Sequence, residues 1–144
     1  MKIYSAIVLF LLSGCAAVKH SLPTSSVIGS WRYVHNKSGC EEVYTFTTEG
    51  TLLTLSGGSL TIDTYSVSKN TNESNRYKVS ATGVSVHGVA DCSGRTSSDG
   101  PNDNYAFYIE FHPNYPNEMI IYYEPLERAG FGPLRRVVTN KSKQ

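Results

Sequence analysis

Tyr105-Ala106-Phe107-Tyr108-Ile109-Glu110-Phe111-His112 is the stretch whose reading decides the fold. Tyr105, Phe107, Ile109 and Phe111 fall on one side of an extended chain, and Ala106, Tyr108, Glu110 and His112 fall on the other. That alternation describes a strand with one apolar face in a core and one face toward solvent. The following run, Met119 to Tyr123, is apolar or aromatic on both faces: Ile120 and Tyr122 on one, Met119, Ile121 and Tyr123 on the other. It reads as a strand that is central or covered from outside the sheet.

The same short-period pattern extends back to residue 30. Strands are expected at about 30–35, 41–48, 51–56, 59–68, 75–81, 84–92, 105–112, 118–124 and 133–139. Glu49-Gly50, Gly57-Gly58 and Gly83 stand between consecutive runs and supply the permissive backbone that tight hairpins need. Sequential strands should therefore be neighbours in an antiparallel meander. With 10 Tyr, 5 Phe and 12 Gly, few segments would make a good helix. Lys69 to Asn75 and Ser93 to Asn104 read as exposed loops, and Pro125 to Pro133 as a lid, a hinge or a wide turn.

Gly29-Ser30-Trp31 opens the first strand and Leu134-Arg135-Arg136 lies in the last. This arrangement resembles that of lipocalins and related calycin barrels. There, a Gly-x-Trp closes one end of the barrel and a basic residue from the final strand stacks over the indole. The resemblance covers roughly residues 29–138 in pattern and only a handful in motif, and further signatures of transport lipocalins are not found. It implies an all-β, lipocalin-like barrel of about eight or nine strands, with Trp31 capped by Arg135 or Arg136. A guanidinium over a Trp face contributes roughly 0.5–2 kcal/mol, so core closure is the expected role of Trp31, with ligand contact as the other.

At the amino terminus, Lys2 precedes an apolar run, Ala6 to Leu12, that ends in Leu12-Ser13-Gly14-Cys15. The run is far too short to span a bilayer, which takes roughly 20 apolar residues. The stretch resembles the lipobox of bacterial lipoproteins. The resemblance implies a signal peptide over 1–14 that is removed and Cys15 as the acylated new terminus, with a lipidated tether over 15–28. The barrel domain would then cover 29–139 and a flexible tail 140–144. It places the protein in the bacterial envelope, facing the periplasm. Ala16-Ala17 lack the aspartate of inner-membrane retention, which favours outer-membrane anchoring. More than one acyl chain is needed for stable anchoring.

Acylation of Cys15 leaves Cys40 and Cys92 as an even pair in an exported chain, and one disulfide is expected. It would close a loop of about 50 residues and stabilise by on the order of 4 kcal/mol. The alternative, a two-cysteine metal site, lacks a further Cys or His at the short spacing of structural zinc. Loss of Lys2 leaves 12 Lys plus Arg against 12 Asp plus Glu. Nucleic acid is not an expected partner, because phosphate binding is driven by clustered positive charge.

Candidate chemistry is sparse. Glu110 and His112 share a strand face and could meet Glu124, but they also fit the solvent face of a half-buried strand. His35 and His87 stand alone. Ser93, in Asp91-Cys92-Ser93-Gly94, lacks the nucleophile-elbow pattern. Asp99, Asn102, Asp103 and Asn104 gather oxygen atoms in one loop that could hold calcium, but the spacing is not that of an EF-hand and such residues are the ordinary makings of a turn. No catalytic residue, metal site or cofactor is therefore assigned. Aromatic residues crowd the last third, and Tyr105, Tyr108, Tyr122, Tyr123 and Phe131 are the candidate binding residues, since Tyr joins apolar area to a hydroxyl.

The function expected is a non-enzymatic, lipid-anchored binding protein. It would present a barrel cavity or loop surface to a small apolar ligand or an envelope component. The competing expectation is an inhibitor or immunity lipoprotein that neutralises a toxin or a lysozyme, with loops 69–75 and 93–104 as its contact surface.

Overall fold

The computed structural model describes residues 27–69, 76–96 and 101–138. The signal peptide expected over 1–14, Cys15, the part before Val27 of the tether expected over 15–28, Asp99 and the tail expected over 140–144 lie outside the described residues. So do most of loop 69–75 and part of loop 93–104. Eight strands run in order: β1 (Gly29–Val34), β2 (Glu41–Phe46), β3 (Thr51–Ser56), β4 (Ser59–Lys69), β5 (Arg76–Gly88), β6 (Asn104–His112), β7 (Tyr115–Tyr122) and β8 (Phe131–Arg136). Each pairs antiparallel with the next, and β8 returns to β1 through Trp31↔Arg136 and Arg32↔Arg135, closing the barrel. No described helix is long and apolar enough to cross a membrane.

The expected break at Gly83 is corrected. Residues 76–88 form one strand, so the fifth and sixth expected strands are halves of a single element. Asp63 pairs with Gly83 while Ile62 pairs with Ser85, so Val84 is the extra residue of a bulge. Gly83 stays in the sheet because its N–H donates to the Asp103 carbonyl at 2.9 Å and its carbonyl accepts from Asn102 N–H at 2.8 Å. The bulge bends the strand without reversing it. The turns at Gly50 and Gly57-Gly58 are present, and Gly50 (φ 81°) and Gly57 (φ 57°) occupy the left-handed region glycine tolerates.

Strict alternation within the strands gives the barrel a filled interior. Trp31, Phe46, Leu52, Val79, Ile109, Met119 and Leu134 are each 1% exposed or less and make the packed centre. The outer wall carries charged pairs such as Arg32–Glu41 (2.8 Å) and Arg135–Glu118 (3.1 Å). β7 is covered on its outer side as well. Arg76 lies over the Tyr122 ring at 3.5 Å, and Gly130 is backed so closely on Ile120 and Tyr122 that a Cβ there would collide with both. This explains the two-sided apolar pattern of 119–123.

The two ends of the barrel are unlike. Residues 27–28, the 47–50 turn, the 113–114 turn and residues 137–138 gather at one end. Residues 35–40, 57–58, 89–96, 101–103 and 123–130 gather at the other.

Candidate functional site

The end bearing residues 27–28 is closed by Trp31. Its position in mid-β1 points the indole inward, where it is fully buried. Its Nε1–H donates to the Val27 carbonyl at 2.8 Å, and the Arg136 guanidinium covers its face at 4.1 Å. Arg136 Nη1 in turn donates to the Ile28 carbonyl at 2.6 Å, so one side chain from the last strand ties down the entry to the first. Burial pulls the Arg136 pKa below its usual range. Arg135 is one position away and so points outward, where it pairs with Glu118; it takes no part in the closure. Phe111, 5.7 Å from the indole between ring centroids, completes the packing.

The opposite half of the interior is hollow. A cavity of about 470 Å³ is lined by Tyr44, Leu52, Thr54, Thr61, Asp63, Gly83, Val86, Asp103, Asn104, Tyr105, Phe107, Ile121 and Tyr123. Its size falls within the roughly 300–1,000 Å³ of small-ligand pockets. The cause lies in the inward residues: Trp31, Phe46, Met119 and Leu134 fill the closed half, whereas Thr54, Thr61 and Gly83 in the other half are small. Leu52, Phe107 and Ile121 make the apolar boundary between the halves.

At the mouth, Tyr44 donates its hydroxyl to Glu42 Oε2 at 2.7 Å, and His35 Nε2 lies 2.8 Å from Glu42 Oε1. Burial, and then the Glu42 charge, push the Tyr44 hydroxyl far above the usual phenol range; burial, then Glu42 and Glu127, raise that of Tyr123. Both phenols stay neutral across ordinary pH. Phe131 packs on Tyr33 (4.4 Å between centroids) and beside His35 (5.8 Å). The Cys40–Cys92 disulfide, with Cα atoms 5.6 Å apart, joins loop 35–40 to the segment after β5. Cys92 N–H also donates to Ser56 Oγ at 3.0 Å, so the pair braces three of the four mouth loops. The fourth, 123–130, is held by Arg76, which donates to the carbonyls of Pro125 (2.7 Å) and Glu127 (2.8 Å), and by Glu127 Oε2, which accepts from Tyr123 N–H.

The candidate aromatic residues divide by parity. Tyr105 and Tyr123 line the cavity, and Phe131 stands at the mouth. Tyr108 and Tyr122 lie away from the cavity: they pair across β6 and β7 on the outer wall, and Arg76 covers the Tyr122 ring. Glu110 accepts from Arg76 at 3.3 Å, His112 Nδ1 accepts from Asn114 N–H at 3.2 Å, and Glu124 directs its N–H to Glu127. The three residues that could have met are engaged separately. Ser93 donates its hydroxyl to Asp91 Oδ1 at 2.7 Å. That bond, with the Arg95 N–H, holds the Asp91 carboxyl below the usual carboxylate range. His35, Glu42 and Cys92 come close enough to suggest metal ligation, but the Cys92 sulfur is in the disulfide and has no thiolate to offer.

Sequence reasoning missed Asp63, Thr54 and Thr61. Asp63 is 1% exposed and belongs to the cavity wall. Its signal was its phase with Tyr65 and Val67, two inward residues further along β4. Comparison with protein-family models, with curated proteins and with solved structures finds no match for this chain.

Proposed function

We propose that this protein is a lipid-anchored binding protein of the bacterial envelope, non-enzymatic, that takes a small, largely apolar ligand into the open half of its barrel. The observation that carries the reading is the cavity of about 470 Å³ at one end of a barrel whose other end is closed by Trp31 and Arg136. A closed floor with a disulfide-braced mouth makes a pre-formed pocket, and pre-formation lowers the ordering cost of binding. The lipobox resemblance at Leu12-Ser13-Gly14-Cys15 supplies the anchor and the compartment. The described chain enters at the closed end, so a tether from Cys15 would leave the mouth facing away from the membrane.

The test is a fluorescence titration of the purified protein with Nile red, a neutral apolar dye. The expected result is saturable one-to-one binding that Thr54→Trp abolishes without lowering the melting temperature by more than a few degrees. No saturable binding, or binding that ignores the tryptophan, overturns the cavity reading.

A second reading, the periplasmic inhibitor or immunity lipoprotein, is favoured by a different feature. Val43, Leu53, Leu55, Leu60 and Ile62 lie together on the outer wall of β2 to β4, and Leu55 is 46% exposed. Contiguous exposed apolar surface marks protein contacts. On this reading Leu55→Arg should abolish capture of a partner and leave Nile red binding intact.

A further inference from the structure

The Cys40–Cys92 disulfide sits among groups that bind metals. His35 Nε2, a Glu42 carboxylate oxygen and the Cys92 sulfur lie within 4.8 Å of one another, and the Cys40 sulfur is bonded to that of Cys92. Donors held tetrahedrally by one zinc ion lie about 3–4 Å apart, so the four need only small shifts to surround an ion. Three of them belong to one hairpin: His35 follows β1, Cys40 ends the connection and Glu42 stands in β2. Two of the donors are already oriented. The His35 ring packs edge-on against Tyr33, 4.9 Å between centroids, and beside Phe131. Glu42 is 13% exposed; its Oε2 accepts from the Tyr44 hydroxyl at 2.7 Å, and its Oε1 is directed at His35 Nε2, 2.8 Å away. A hydrogen-bond donor behind a carboxylate ligand is the kind of outer contact that fixes geometry in metal sites.

The backbone around both cysteines is held by bonds that the disulfide does not make. His35 N–H donates to the Cys40 carbonyl at 2.9 Å, and Gly39 N–H donates to the His35 carbonyl at 2.8 Å. On the other side, Cys92 N–H donates to Ser56 Oγ, and the Asp91 carboxylate accepts from the N–H groups of Ser93 and Arg95. Cleavage of the S–S bond therefore leaves two thiols side by side, next to an imidazole and a carboxylate. We infer that Cys40, Cys92, His35 and Glu42 form a redox-gated zinc site, blocked while the disulfide is intact and opened by a dithiol reductant. The dithiol gives two electrons and two protons to the S–S bond and is itself left as a disulfide. Zinc then releases both thiol protons to solvent and takes two sulfur, one nitrogen and one oxygen ligand. Thiolates with an imidazole suit zinc, whereas magnesium and calcium take oxygen ligands. The ion replaces the disulfide as the brace between the mouth loops, so the mouth is held in both redox states. None of the four ligands lines the cavity, and the site stands apart from the cavity reading above.

The test uses the full-length chain in detergent carrying Cys15→Ser, which leaves Cys40 and Cys92 as its cysteines. The chain is reduced with a dithiol, freed of it by gel filtration without oxygen, and titrated with cobalt(II), an optical substitute for zinc. The reduced chain should develop the visible absorption of tetrahedral thiolate-bound cobalt at one ion per chain, and one equivalent of zinc should bleach it. The oxidised chain should develop none. X-ray absorption at the zinc edge should show two sulfur neighbours at about 2.3 Å and two nitrogen or oxygen neighbours at about 2.0–2.2 Å. His35→Ala and Glu42→Gln should each weaken zinc binding by roughly tenfold or more. Should either variant fail to fold, the neighbours of zinc in the parent chain decide alone. Should reduction unfold the chain, zinc should restore its far-UV circular dichroism, because an ion held by the fold stabilises it. A reduced chain that binds no cobalt, that zinc fails to refold, or whose affinity is unchanged in both variants overturns the site. So do four sulfur neighbours, which would mean two chains sharing one ion. Equal binding by the oxidised chain overturns the gating.

Discussion

Replacing Trp31 by alanine should destabilise the barrel by about 5 kcal/mol, the upper end of the range of about 3–5 kcal/mol for large aromatic residues in cores. The upper end follows from three losses at one position. The side chain is fully buried, so its whole apolar area returns to water or to a cavity. Its Nε1–H leaves the Val27 carbonyl, and an orphaned buried acceptor costs about 1–3 kcal/mol. Arg136 loses the ring face that stabilises its partly buried guanidinium, worth about 0.5–2 kcal/mol. These contributions overlap and do not add in full. Arg136→Ala, which removes the lid and keeps the indole, should cost about 1–2 kcal/mol, and Trp31→Phe should fall between the two. The assay is urea unfolding of the oxidised protein followed by far-UV circular dichroism, with the slope checked for two-state behaviour. Since Trp31 is absent from the cavity wall, folded Trp31→Phe should bind Nile red within about threefold of the parent. A loss below 1 kcal/mol in Trp31→Ala, or loss of dye binding in a stable Trp31→Phe, would refute the division of the barrel into a closed half and a ligand half.

Cys40→Ser should cost about 2–5 kcal/mol by the same assay, and alkylation of the unreduced protein should leave Cys40 and Cys92 unmodified. Raising the pH through 10 should destabilise the fold: the buried Tyr44 stays protonated while the unfolded chain ionises near pH 10, so stability is full below that pH and falls by up to about 1.4 kcal/mol per pH unit above it. Tyr44→Phe should flatten that alkaline slope by about one proton, which parallel melts at pH 9 and 11 would read out. Arg76→Met should free the 123–130 loop, seen as faster limited proteolysis there with little change in melting temperature. Cys15→Ser should move the protein from the membrane to the soluble fraction on cell fractionation and block cleavage after Gly14; unchanged membrane association would discard the lipid anchor.

Local pattern carried most of the fold. Alternation over 105–112 places Phe107 and Ile109 in the core, and Gly50 and Gly57 stand where their positive φ allows tight turns. Gly83 misled because glycine serves bulges as well as turns. What decides between them is the partner strand, and residues 102–103 come alongside only in three dimensions. The two-sided apolar run at 119–123 was legible as covered, while its cover, the Arg76 anchor, is separated from it by over 40 residues. The site was less legible. Tyr122 and Tyr123 are chemically alike, and only their parity sends one under Arg76 and the other into the cavity. β4 hid the site most fully, since Leu60 and Ile62 look like its core face, yet Asp63, Tyr65 and Val67 point inward.

The lid over Trp31 has a consequence for the order in which the molecule is assembled. The indole enters with the first strand and its cover arrives with the last, so the barrel is sealed by residues roughly 100 positions apart, a closure that costs on the order of 4 kcal/mol in chain entropy. A chain emerging from its amino terminus must therefore carry its largest apolar side chain uncovered until nearly the whole domain is available. Shortening the chain before Arg136 would leave β1 with a bare edge and Trp31 exposed, the combination that invites aggregation. A truncation of the final ten residues would leave Arg136 absent, and its harm would be close to that of losing a central strand.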